Sequence, residues 1–340
     1  MHLNGWQRYL ISVCLSVSAI AVASFLVGQT LTPSKEKNLL QNQTTSPAQP
    51  QDRNDSAPLS SPTSNNQPSQ AIPASPEPRT LTQANSGWNK NLEIDSVAYD
   101  LYIPPNYNTR DGSRARRLPC LLVLPGWNFP RTSWVENSNL VDYADRYGYA
   151  ILLPEMGKTL YESQYYPETR MKWNPVPGGE FIKARFIPQI RQRHNLLHPG
   201  QYNTMLGLST GGRGVALIAL ANPGLFVAGA SLSGDFSQEN TSTDRLMTAV
   251  YGSFSAFRDR WQGQDNPQAR AAEWQMPLYL AHGTADTVVP EEQSRLFYDA
   301  LVKQHQQHIE YNDVKGAGHD YTFWGGQLEN VFEFLDKDWN

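Results

Sequence analysis

From about Val97 onward, short apolar runs alternate with segments of helical period, and no other feature of the chain limits its fold as strongly. The runs are VAYDLYI at 97–103, PCLLVLPG at 119–126, YAILLPE at 149–155, YNTMLGLS at 202–209, VAGASLSG at 227–234, PLYLAHG at 277–283 and HIEYNDV at 308–314. Between most of them the pattern predicts helices over 135–147, 179–194, 211–221, 291–304 and 324–336. Repeated strand and helix units imply an α/β fold with a mainly parallel sheet and helices on both faces. Runs such as CLLVL and AILLP are apolar at every position, as a strand buried on both sides requires. Sheets of this kind meet their ligands at the carboxyl ends of the strands, so the residues just after each run are where chemistry is expected.

The first such place is Gly207-Leu208-Ser209-Thr210-Gly211, a GxSxG pentapeptide between the run YNTML and the helical segment GGRGVALIALA. A nucleophilic serine has to project from a sharp strand-to-helix turn, where side chains two residues to either side would collide; glycine removes the collision. The helix N-terminus below it favours negative charge developing there. With glycine and serine each near 7% of residues, a chain this long holds on the order of 0.1 such matches by chance, and the strand and helix on either side lower that further. Gly212 and Gly214 are expected to serve close helix packing rather than catalysis.

A serine hydroxyl is a poor nucleophile at neutral pH, so a base must take its proton and a carboxylate must orient the base. Asp286 follows the run PLYLAHG in the turn TADTVVP and is the carboxylate candidate; Asp235, after ASLSG, is its rival. The base candidate is His319 in KGAGHDYTF, between the last run and the last helical segment. The order Ser209, Asp286, His319 is the one found where such triads sit on parallel α/β sheets. His282, in a strand-end HG turn, is expected to pack beneath the acid loop. His194 and His198 lie four apart with no third ligand nearby, His305 and His308 look solvated, and no metal site is expected.

The oxyanion of an acyl-transfer intermediate needs donors aimed at it. Thr210 supplies one amide directly after the serine, and the segment Gly126-Trp127-Asn128 supplies a second after an earlier strand. The Trp127 amide is favoured, with Asn128 able to donate instead through its main chain or side chain. The segments YYPETRMKWNPVPGGE and 238–273, the latter containing Trp261, are placed to form walls of the site.

These residues carry a resemblance. GLSTGGRGVALIALANPGLFVAGASLSGDF resembles the nucleophile region of the esterase D-like hydrolases, which include S-formylglutathione hydrolases, feruloyl and acetyl xylan esterases and mycolyltransferases. GAGHDYTFWGGQLENVFEFL is similar to the same group's histidine loop and last helix. The resemblance covers most of 97–340 and implies the α/β-hydrolase fold and ester cleavage through an acyl-enzyme, with the roles carried by Ser209, Asp286 and His319. It departs at the oxyanion segment, PGWN where many relatives have a histidine before the glycine, and at Thr210, where methionine is frequent. No cofactor is implied. An acyltransferase on the same triad, or a surface binding protein with a retired site, remains the alternative.

Ahead of this region the composition changes. Residues 9–28, YLISVCLSVSAIAVASFLVG, carry no charged side chain and follow Arg8, which fits a membrane anchor or a signal peptide with a cleavage site at Ala21-Val22-Ala23. Residues 29–88 are rich in Pro, Ser, Gln and Asn and read as a disordered linker, leaving 89–340 as the catalytic domain. Either reading of the leader places the enzyme outside the cytoplasm, secreted, periplasmic or membrane-anchored. The net charge of −4, with no basic block beyond Arg114, Arg116 and Arg117, argues against nucleic acid as a partner. The expected partner is a small-molecule, carbohydrate or lipid ester. Cys14 and Cys120, the two cysteines, suit an apolar segment and a buried strand better than a disulfide.

Overall fold

The computed structural model describes residues 86–107, 119–238 and 241–339. The leader at 1–28, nearly all of the linker and the Arg114 to Arg117 group lie outside these residues. Eight strands form one sheet in the order β1-β2-β4-β3-β5-β6-β7-β8. They are β1 Gly87–Ile94, β2 Val97–Ile103, β3 Cys120–Leu124, β4 Ala150–Pro154, β5 Asn203–Leu208, β6 Ala228–Leu232, β7 Leu278–Gly283 and β8 Ile309–Val314. β1 pairs antiparallel with β2, and β2 antiparallel with β4, while every pairing from β4 to β8 is parallel. The expected mainly parallel sheet of the α/β-hydrolase fold is therefore present, with an antiparallel edge.

β1 corrects the sequence reading, which left Gly87 and Trp88 in the linker and predicted no strand before Val97. Its sequence, GWNKNLEI, does not alternate, and its register with β2 shifts between Asn89 and Leu92. It still closes the edge, because Trp88 packs on Tyr102 at 4.9 Å between ring centroids.

The wholly apolar strands divide their side chains between two cores with period two. Leu122, Leu124 and Leu152 face one core, shared with Val215 and Ile218 of the helix Thr210–Ala221; Leu121, Val123, Ile151 and Leu153 face the other, shared with Val331 and Phe332 of the helix Leu328–Leu335. Cys120 is buried in the first core, and burial pushes its thiol well above the usual range. The helix expected over 135–147 is two helices, Ser133–Asn137 and Leu140–Tyr147. They part at Ser138, which is extended and whose hydroxyl donates to the Trp134 carbonyl at 2.5 Å. The segment expected over 179–194 runs as Gly178–Phe181, a π-helical stretch Ile182–Phe186 and Ile187–His194.

From β3 the chain crosses to β4 on one side and reaches β5 on the other. The strand order reverses there, so the loops after β3 and β5 open a crevice between them. Leu124 is paired with Gly207, which brings Gly126 and Ser209 to the same rim of the sheet.

Candidate active site

Ser209 sits at φ 54°, ψ −126°, a left-handed conformation that strains a side-chain-bearing residue. The chain around it permits that turn because two neighbours lack a Cβ. A Cβ on Gly207 would lie 2.1 Å from the Gly211 carbonyl oxygen, and one on Gly211 would lie 2.2 Å from that of Leu124. The Ser209 amide donates to Leu232 of β6 at 2.9 Å, and its carbonyl accepts from the Arg213 amide at 3.2 Å, which starts the helix. Gly212 and Gly214 serve packing as expected, against Ser231 and the Tyr161 ring.

The loops carrying Asp286 and His319 are bound to each other before their side chains meet. The Thr284 amide donates to Val314 at 3.0 Å, the Ala285 amide to Ala317 at 2.9 Å, and the Gly316 amide to the Thr284 hydroxyl at 2.9 Å. Gly283 allows this approach, since a Cβ there would stand 2.3 Å from the Ala317 carbonyl oxygen. His319 then lies edge-on to Trp324 at 4.9 Å, and the Trp324 indole is held by the Ser233 hydroxyl at 3.1 Å.

Three side chains distant in sequence converge as a result. His319 Nδ1 is 2.6 Å from Asp286 Oδ2, and its Nε2 is 3.0 Å from Ser209 Oγ. A carboxylate can only accept, so Nδ1 carries the hydrogen and Nε2 is left with a lone pair directed at the serine. Asp286 Oδ1 accepts the amides of Val288 and Val289 at 2.8 and 2.9 Å. Burial acts to raise the Asp286 carboxyl, but hydrogen bonds from His282 and His319 and from the Val289 amide outweigh it and hold the group well below the usual carboxylate range.

The rival acid is engaged elsewhere. Asp235 faces the fully buried Arg213 at 3.7 Å, and burial pushes its carboxyl up to about 6. Arg213 also donates to the carbonyls of Asp235 and Asp265 and to the Tyr251 hydroxyl. It thereby joins the Ser209 helix to the insertion at 238–273.

At the expected oxyanion position, the turn after β3 is closed by the Phe129 amide donating to Gly126 at 3.1 Å. The Asn128 amide is committed to the Gly157 carbonyl at 2.7 Å, which removes it as a main-chain donor. The Trp127 amide has no acceptor among the described residues, and the Thr210 amide opens a helix, where no intrahelical acceptor exists. The Trp127 ring packs on a third apolar cluster made by Leu160, Met247, Val250, Tyr251 and Trp261. Both segments expected as walls contribute there, but Trp261 is fully buried and donates to the Gly252 carbonyl at 3.1 Å. It lies inside this cluster with no exposed surface.

His282 does more than pack. It is fully buried, with Nε2 3.3 Å from Asp286 Oδ2 and Nδ1 2.7 Å from the Ser294 hydroxyl. His194 is paired with the Tyr99 hydroxyl at 2.7 Å. Among the described residues, no group of three or more His, Cys, Asp and Glu side chains is arranged to hold a metal ion.

The sequence profile of the esterase family matches residues 95–335. The chain belongs to the esterase family. The resemblance read from the serine and histidine segments is thus borne out, and the esterase is a carboxylic ester hydrolase. An acetyl esterase of Caldicellulosiruptor saccharolyticus is 24% identical to it over 238 residues, covering 66% of this chain and 85% of that protein. Among solved structures, MPT51 (FbpC1) of Mycobacterium tuberculosis is similar with a TM-score of 0.58 at 14% identity, over 74% of this chain and 98% of the other. An S-formylglutathione hydrolase of Agrobacterium tumefaciens is similar with a TM-score of 0.57 at 16% identity, over 70% and 88%. At such identities these two likenesses establish the fold of the esterase. Among its described residues no helix is long and apolar enough to cross a membrane, and 9–28 lie outside them.

Proposed function

We propose that the esterase cleaves carboxylic esters of short acyl groups through an acyl-enzyme on Ser209. His319 Nε2 takes the proton of the serine hydroxyl as Oγ bonds to the ester carbonyl carbon. The amides of Trp127 and Thr210 hold the resulting oxyanion, and Asp286 stabilises the imidazolium. The C–O bond to the alcohol breaks as His319 returns its proton to the leaving oxygen. Water then attacks the acyl-enzyme with His319 again as base, releasing the acid and restoring Ser209. The observation that carries this reading is the pair of contacts made by one imidazole, 3.0 Å to Ser209 Oγ and 2.6 Å to Asp286 Oδ2. The short acyl group is inferred from the acetyl esterase relative.

A panel of nitrophenyl esters of increasing acyl length, with Ser209→Ala as control, tests the proposal. Turnover greatest for acetate and lost in the variant supports it. Turnover that survives in Ser209→Ala contradicts the mechanism, and a preference for long chains contradicts the acyl assignment. Product analysis with an alcohol acceptor present should show free acid; an acylated acceptor in its place would make the chain a transferase. We also place the reaction outside the cytoplasm, on the strength of the apolar segment 9–28. Cell fractionation showing the activity in the cytoplasm would refute that placement.

A further inference from the structure

We infer that His282 is a positioning residue for Asp286, and that Ser294 fixes its ring; the inference rests on the function proposed above. His282 is the penultimate residue of β7 and is wholly buried. Its Nε2 faces two oxygens, the Val289 carbonyl at 3.0 Å and Asp286 Oδ2 at 3.3 Å. Both are acceptors, so Nε2 keeps its hydrogen whatever the state of Nδ1. In the neutral ring Nδ1 then accepts from the Ser294 hydroxyl at 2.7 Å. A buried histidine with both nitrogens satisfied would be unremarkable in a core, but here one partner is the carboxylate that orients the base.

An ionised carboxylate has about four acceptor sites. On Asp286 the Val288 and Val289 amides donate to Oδ1 and His319 to Oδ2, while the His282 N–H, bonded to the Val289 carbonyl at 3.0 Å, also faces Oδ2 at 3.3 Å. Beside the shorter contact from His319 on the same oxygen, His282 opposes rotation of the carboxylate plane about its Oδ1 anchors from the buried side. Through Ser294, on the helix Glu292–Lys303, the orientation of His319 is tied to an element that carries none of the three reacting groups.

Two near-isosteric substitutions separate this role from packing. In His282→Gln the amide nitrogen occupies the place of Nε2 and can still donate to Asp286. In His282→Asn it occupies the place of Nδ1 and cannot. The full chain and both variants are compared with p-nitrophenyl acetate for kcat and KM, with Ser209→Ala alongside. The downfield proton resonance of the His319 to Asp286 hydrogen bond is recorded for each, and circular dichroism checks the fold. The inference predicts that Asn lowers kcat about 10²-fold with KM nearly unchanged and displaces the downfield resonance, whereas Gln restores both. Wild-type turnover in a folded His282→Asn, equal losses in both variants, or failure of both to fold would each overturn it. Should Ser209→Ala remain active, the proposed function fails. If that control is inactive while His282→Asn matches wild type, only the positioning role fails.

Discussion

At Ser209 a strained backbone is held by the absence of two side chains. The left-handed φ exposes the hydroxyl to His319, and the turn closes only because neither Gly207 nor Gly211 carries a Cβ. Gly211→Ala would drive a methyl group against the carbonyl oxygens of Leu124 and Pro125, at 2.2 and 2.6 Å, and backbone on that side cannot swing away. It should destabilise the fold by about 3 kcal/mol, measured by denaturant unfolding, and a loss below about 1 kcal/mol would show that the elbow is not tight. At Asp286 the charge matters as much as the shape. Asp286→Asn offers an amide whose nitrogen can only donate, which favours the wrong His319 tautomer, and kcat should fall on the order of 10⁴-fold. Steady-state kinetics with an acetate ester checks this, and a loss under tenfold would deny Asp286 its orienting role.

At the scale of elements, what was legible in the sequence was what depends on local pattern. β3 and β4 showed themselves as strands because both of their faces are buried, and the serine turn showed itself because glycine is needed at fixed offsets from it. β1 was hidden because it lies at the edge of the sheet and is stabilised through Tyr102, a residue of another strand. The break at Ser138 was hidden because the polar run from Glu136 to Asn139 holds no proline or glycine to mark a helix end. The contacts of His282 were hidden for a related reason: Val289 and Ser294 are near in sequence, but only the folded acid loop turns them towards the ring. Nothing in the local pattern of GGRGVALIALA marks Arg213, which is fully buried among Asp235, Tyr251 and Asp265. Arg213→Met would leave Asp235 and Asp265 without their cation and should cost about 3–5 kcal/mol. Thermal unfolding reads that loss, and an unchanged melting temperature would mean the insertion is held by its apolar contacts alone.

At the scale of the molecule, two buried carboxylates oppose each other in their response to pH. Asp286, with its folded-state pKa depressed, contributes stability that is present above the unfolded value near 3.9 and lost as pH falls through the folded value. Asp235, raised to about 6 by burial, does the reverse: its contribution is full below about 3.9 and declines as pH rises to about 6. Wild type should therefore lose stability relative to Asp235→Asn between those limits, with a slope of up to about 1.4 kcal/mol per pH unit. Parallel stability curves for the two proteins would contradict the burial argument. All the described residues fall within the compact unit Ile72–Asn340. A fragment beginning at Ile72 should hydrolyse esters as the full chain does, and an inactive but folded fragment would give the preceding segment a catalytic part.

The most direct measurement is covalent. The esterase is treated with a fluorophosphonate, digested, and the modified peptide sequenced by mass spectrometry in wild type and in His319→Ala. One adduct on Ser209 in wild type, formed far more slowly without the imidazole, is the result predicted by a hydroxyl 3.0 Å from a histidine base. An adduct on another residue, or labelling of Ser209 at the same rate in His319→Ala, would contradict it.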